Sequence, residues 1–155
     1  KGTAFRIYLP SRQGQDLLEV SEKEPHLSES EGETILLVED EPALLEIGAE
    51  LLAHLHYQVI SAASPREALQ KVQEYPGKIH LLITDLIMPE MNGRDLYQAI
   101  LALRPQIACL FMSGYTANVI AHRGILEEGI NFLAKPFTLS QLAEKVREVL
   151  RKQTC

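Results

Sequence analysis

From residue 34 onward the chain alternates short, fully apolar runs of strand length with longer segments whose apolar residues recur at three and four positions. That alternation restricts the fold more than any other feature. A continuous apolar run belongs to a strand covered on both faces, and the intervening helical periods supply the covers. The first run, Ile35-Leu36-Leu37-Val38, ends in Glu39, Asp40 and Glu41, and Pro42 then opens a helix expected over 42–55. Its stripe of Leu44, Ile47, Leu51 and Leu55, widened by Leu45 and Leu52, is read as core. A second strand is expected at 57–61. Ser64-Pro65-Arg66-Glu67 then carries an N-cap serine, a proline at the first helical position and a glutamate three residues on, which predicts a helix over 65–74.

The same reading continues to the end of the chain. A third strand over 81–84 stops at Asp85, and the loop LIMPEMNG leads to a helix over 93–103. A fourth strand over 107–112 ends at Ser113-Gly114, and a weaker helix is expected within 116–128, where Gly124 interrupts a sparse period. A fifth strand over 130–134 runs into Lys135-Pro136, and a last helix follows, capped by Thr138 or Ser140 and closing near Lys152. Five strands alternating with five helices predict a doubly wound α/β domain of 34–152 with a parallel sheet covered on both faces, and the flavodoxin-like order 2-1-3-4-5, which the family resemblance given below implies, would make strands one and three neighbours. Residues 153–155 are left as a tail.

Charge divides the remainder. Residues 11–33 hold two basic against seven acidic residues and are rich in Ser, Glu, Gln, Gly and Pro, so they read as an acidic, flexible linker. Most of the formal charge of −6 lies there, and with 15 Lys+Arg against 21 Asp+Glu the composition argues against nucleic acid as a partner. Two cysteines, Cys109 and Cys155, are too few for a disulfide framework and suit a reducing compartment. Cys109, inside an apolar run, reads as an inert core thiol. No apolar run approaches the length of a membrane span, and residues 1–20 lack a signal-peptide core. A cytoplasmic domain without membrane contact is expected.

In such a fold ligands bind beyond the carboxyl ends of the strands. Those ends supply Glu39 and Asp40, then Asp85, Ser113 and Lys135. If strands one and three are neighbours, three carboxylates converge. Two carboxylates about 5 Å apart repel by about 3 kcal/mol at an effective dielectric of about 20, so the cluster asks for a hard cation such as Mg²⁺. Asp85 is the best placed nucleophile towards phosphorus, with Lys135 and the Ser113 hydroxyl able to hold the transferred oxygens. The five histidines have no ligand spacing and are assigned surface or packing roles.

LLVEDEP, TDLIMPEMNG, MSG and AKPF resemble the receiver domain of two-component response regulators, over 34 to about 152. The resemblance implies that Asp85 accepts a phosphoryl group from a phosphohistidine. It implies that Asp40, Asp85 and the Ile87 carbonyl bind Mg²⁺ directly, and that Glu39 holds a metal-bound water. Ser113 would follow the phosphoryl group on activation, Lys135 would supply the ammonium, and Phe132 would be the switch aromatic. These shifts would remodel the surface around the fourth helix and fifth strand. Lys135-Pro136 is expected to be cis. Two departures stand out: Ile87 and Tyr115 occupy positions that tune loss of the phosphate, and neither orients water, so slow dephosphorylation is expected. Phe132 lacks a tyrosine hydroxyl, so switching should rely on packing.

Residues 1–10, KGTAFRIYLP, alternate Phe5, Ile7 and Leu9 with Arg6 and Tyr8, and resemble the final strand of the ATP-binding domain of sensor histidine kinases. That layout implies the carboxyl-terminal receiver of a hybrid histidine kinase, with an intramolecular kinase domain as one possible partner and a histidine-containing phosphotransfer domain as another. An appended DNA-binding output domain is not expected. A haloacid-dehalogenase-type hydrolase would need a second acid where Ile87 stands, and a dinucleotide site would need glycines in place of EDEP. A degenerate receiver that only docks proteins is the remaining alternative, and the complete acceptor set argues against it.

Overall fold

The structure, a computed structural model, describes residues 30, 32–114 and 130–153. Five parallel strands, β1 (Thr34–Val38), β2 (Gln58–Ala62), β3 (Leu81–Asp85), β4 (Ala108–Ser113) and β5 (Phe132–Ala134), lie side by side in the order β2-β1-β3-β4-β5. This is the expected doubly wound sheet. The described helices are α1 (Pro42–His54), α2 (Pro65–Glu74), α3 (Gly93–Leu103) and a last one, α4 (Leu139–Gln153). The helix expected within 116–128 lies outside the described residues, as do residues 1–10, expected to be a kinase-domain strand, and most of 11–33, expected to be a linker.

Alternation along each strand splits the core in two. Ile35, Leu37, Leu81, Ile83, Leu110 and Met112 face α1 and α4, where Leu52, Leu142, Val146 and Val149 meet them. Leu36, Val38, Leu82, Cys109 and Phe111 face α2 and α3, against Ala68, Val72, Leu96 and Ile100. Cys109 is the inert core thiol expected, since burial pushes its pKa well up. Local chemistry fixes the helix starts: Ser64 Oγ accepts from Glu67 N at 3.2 Å, while Glu67 Oε2 accepts from Ala63 N at 2.8 Å. Asn92 caps α3 by accepting from Asp95 N at 2.9 Å, and Thr138 Oγ1 accepts from Gln141 N at 3.3 Å.

Several boundaries differ from expectation for identifiable reasons. The Tyr57 amide closes onto Leu52 O at 3.2 Å, so β2 begins at Gln58, and the Ile107 amide closes a turn onto Arg104 O at 3.1 Å, so β4 begins at Ala108. As an edge strand β5 is only three residues long. α4 runs through Gln153, one residue past the expected domain end.

The stripe assigned to the core of α1 requires a correction. Leu44 and Ile47 are 45% and 53% exposed, while Leu52 and Leu55 are buried and Leu45 and Leu51 pack against the core from its edge. Ahead of β1, Ser30 Oγ donates to His56 O and the Glu33 carbonyl accepts from Gln58 N at 3.0 Å. Ser30 and Glu33 are thus fastened to the amino-terminal rim of the sheet.

Candidate functional site

Parallel pairing places β1 between β2 and β3, so the residues that leave β1 and β3 emerge side by side. Glu39 follows β1 with 3% of its surface exposed, Asp40 is exposed, and Asp85 closes β3 with its side chain half sunk in the rim. One carboxylate oxygen from each of Glu39, Asp40 and Asp85 lies within 4.8 Å of the others. The convergence expected from strand order is present.

Lys135 follows β5, two strands away, and its amide donates to Ser113 O at 2.8 Å, which ties the ends of β4 and β5 together. The Lys135–Pro136 bond is cis. From there Lys135 Nζ donates to Glu39 Oε2 at 2.5 Å and to Asp85 Oδ2 at 2.9 Å. Burial disfavours the charged ammonium, but the hydrogen bonds and charges of Glu39 and Asp85 outweigh it, and the Lys135 pKa is raised. The ammonium therefore stands between two acids. The bond to Glu39 was not part of the sequence reading, which gave Lys135 only phosphoryl oxygens to hold.

Asp85 is held from several directions. Its Oδ1 accepts weakly from the Ile87 amide at 3.4 Å, its carbonyl accepts from Thr84 Oγ1 at 3.0 Å, and the next amide, that of Leu86, donates to Met112 O at 2.9 Å. Gly93 is the site residue that sequence reasoning missed. A Cβ there would stand 2.3 Å from the Asp85 carbonyl oxygen, so α3 can press against the acceptor loop only because its first residue has no side chain. Asn92-Gly93 at the head of a helix was the available signal.

Ser113 is buried at 1% exposure, one residue beyond Met112, which is level with Asp85 across the β3–β4 ladder. Phe132 lies opposite Phe111 and packs on the α2–α3 side of the sheet, away from the acids. The Ile87 side chain is 46% exposed beside Asp85. Tyr115 lies outside the described residues.

A parallel sheet of order 2-1-3-4-5, crowned by three acids and a lysine, defines a class: the flavodoxin-like phosphoacceptor domain. The chain belongs to the response regulator receiver domain family, whose model matches residues 35–147. It is similar to Sensor kinase CckA of Brucella abortus (strain 2308), 38% identical over 160 residues that cover 99% of this chain and 17% of that protein. Response regulator receiver protein CpdR of the same organism is 28% identical over 116 residues, 75% of this chain and 95% of the relative. Among solved structures, the receiver domain of hybrid histidine kinase CckA is 38% identical with a TM-score of 0.64, covering 76% of this chain and 98% of that one. A receiver domain protein from Clostridium thermocellum is 27% identical, with a TM-score of 0.69 over 79% of this chain and 97% of that one. The chain thus spans about a sixth of its CckA relative. It is a receiver of two-component signal transduction, and a phosphoacceptor role rather than a degenerate docking role is the one supported.

Proposed function

We propose that Asp85 is the residue that accepts the phosphoryl group. The observation that carries this reading is the Lys135 ammonium bridging Asp85 and Glu39 at a rim where three carboxylates meet. Asp85 is the acid at the end of the central strand β3, paired with Met112 of β4 and one residue past Thr84, which pairs with Val38 of β1. In the transfer one Asp85 carboxylate oxygen forms the O–P bond as the N–P bond of a phosphohistidine breaks, and the imidazole leaves with the electron pair. Lys135 exchanges a carboxylate contact for a phosphoryl oxygen, and the Ser113 hydroxyl, carried on the strand end fastened to Lys135, donates to another.

The donor set fits Mg²⁺. Among the described residues it offers the carboxylate oxygens of Glu39, Asp40 and Asp85, all hard donors, against the one ammonium of Lys135, which leaves a net negative charge. Asp40 and Asp85, with the Ile87 carbonyl, would hold the ion directly and Glu39 through water; the ion would screen the negative charge of the incoming phosphoryl oxygens. Phe132 has no hydroxyl to donate, so its part in the switch is one of packing against the α2–α3 side.

The donor is a histidine domain that docks where Leu44 and Ile47 stand exposed beside the acids. The likeness to CckA over nearly the whole chain favours a receiver carried by a hybrid histidine kinase and facing the cytoplasm. Residues 1–10 then belong to the kinase's ATP-binding domain and 11–33 to the tether. Asp85→Asn tests the assignment: incubated with acetyl phosphate and Mg²⁺, the parent chain gains one phosphoryl mass and the variant none. Labelling that persists unchanged in the variant overturns it.

A further inference from the structure

Thr84 carries a fully buried hydroxyl one residue before Asp85. Its ladder partners Val38 and Phe111, and Leu82 on the same face of β3, are apolar side chains packed towards α2 and α3. Valine has the same shape, suits a strand as well and brings no polar atom to bury, so neither strand nor core calls for the hydroxyl. Its contacts are with the acceptor loop. Oγ1 lies 3.0 Å from the Asp85 carbonyl oxygen and 3.8 Å from Met88 Sδ, and its one proton serves both. The methyl carbon Cγ2 stands at the head of α3, 3.1 Å from where a Cβ on Gly93 would be.

Ile87 lies between the two residues that the hydroxyl touches. On one side Leu86 is pinned by its backbone, its amide donating to Met112 O at 2.9 Å and its carbonyl accepting from Gly93 N at 3.0 Å. On the other side Met88 is anchored by its side chain, buried against Thr84. The Ile87 side chain is itself exposed and packs too little to hold its own peptide. We propose that Thr84 is a positioning residue for the cation: by joining the Asp85 carbonyl to Met88, its hydroxyl steadies the Ile87 carbonyl beside Asp40 and Asp85. This rests on Mg²⁺ being held by Asp40, Asp85 and the Ile87 carbonyl, as proposed above. Mg²⁺ demands near-ideal octahedral geometry, whereas Ca²⁺ accepts a larger and irregular shell, so a loosened carbonyl costs Mg²⁺ the more.

The test is a titration of the full 155-residue chain with Mg²⁺ and, separately, with Ca²⁺, followed by amide NMR at Asp40 and Asp85. Parent, Thr84→Val and Thr84→Ser are compared. Thr84→Val should bind Mg²⁺ at least about threefold more weakly, lose less affinity for Ca²⁺, and unfold in urea no earlier than the parent. Thr84→Ser, which keeps the hydroxyl and drops the methyl, should bind Mg²⁺ within about twofold of the parent. Unchanged Mg²⁺ affinity in Thr84→Val, an equal loss in Thr84→Ser, or a loss no greater for Mg²⁺ than for Ca²⁺ would overturn the proposal. Earlier unfolding of Thr84→Val would overturn it too, because the hydroxyl would then be a bond that holds the fold. A parent chain without saturable Mg²⁺ shifts removes the Mg²⁺ assignment and the role of Thr84 with it. Saturable shifts in the parent, undiminished in Thr84→Val, remove the role of Thr84 alone.

Discussion

Lys135 Nζ lies 2.9 Å from Asp85 Oδ2, although the two residues leave strands that are not neighbours. Its second contact, to the buried Glu39, makes the ammonium the internal counter-charge of the cluster.

Lys135→Met leaves Glu39 buried without a cation. The chain should lose on the order of 2–4 kcal/mol in urea unfolding at neutral pH, part of it restored by millimolar Mg²⁺. Since the folded lysine pKa is raised, the stabilisation it supplies is complete below the ordinary lysine value and fades only as pH rises through the raised one. Parent and variant stabilities should therefore converge only in strongly alkaline solution. A difference that already closes near neutrality contradicts the pairing.

Gly93→Ala drives a methyl into the Asp85 carbonyl, 2.3 Å from where its Cβ would be, and helix propensity does not offset that clash. Destabilisation of about 1–3 kcal/mol in chemical denaturation is expected, together with slower acetyl phosphate labelling. An unchanged labelling rate would separate α3 docking from the acceptor's geometry.

Loss of the phosphoryl group should be slow, because the exposed Ile87 side chain beside Asp85 cannot orient an attacking water. Decay of the labelled chain, followed by intact-mass spectrometry, should extend well beyond seconds, and Ile87→Asn should shorten it several-fold. Decay within seconds in the parent chain would contradict this.

Ser64→Ala removes the cap of α2 and should cost about 1 kcal/mol. Its capping partner Glu67 has a pKa lowered chiefly by the Lys71 hydrogen bond and then by the Ala63 amide. The stabilisation from that carboxylate is present above the ordinary glutamate pKa and is lost as pH falls through the lowered one. Glu67→Gln should accordingly lower the melting temperature at neutral pH and have no effect in strong acid.

Burial raises the Cys109 thiol well above its ordinary pKa, so the folded chain withholds the thiolate. In a Cys155→Ser background, iodoacetamide at mildly alkaline pH should modify Cys109 only at the rate of unfolding. Fast modification without denaturant would contradict the packing of β4.

The strand ends that carry Glu39, Asp40 and Asp85 were legible because a continuous apolar run can end only where polarity begins, and Asp85 marks that end without ambiguity; their convergence followed only once the order 2-1-3-4-5 was taken from the family resemblance. The face of α1 was not. PALLEIGAELLAH is apolar nearly all round, so the spacing of Leu44, Ile47 and Leu51 satisfies a helical period as well as the stripe through Leu45 and Leu52 that meets the sheet. Packing, not periodicity, chose between them. The Lys135–Glu39 bond was hidden for a different reason. It depends on how far a flexible side chain reaches across two strand ends, which no local pattern encodes.

The fastening of Ser30 and Glu33 to the rim opposite the acids has a steric consequence. A five-residue strand rises about 17 Å, so the chain enters β1 about that far from the acids, at the opposite rim. A histidine donor placed ahead of β1 in the same polypeptide would have that thickness of the domain to cross before it could reach Asp85, a distance that a separate donor approaching the acid rim does not face.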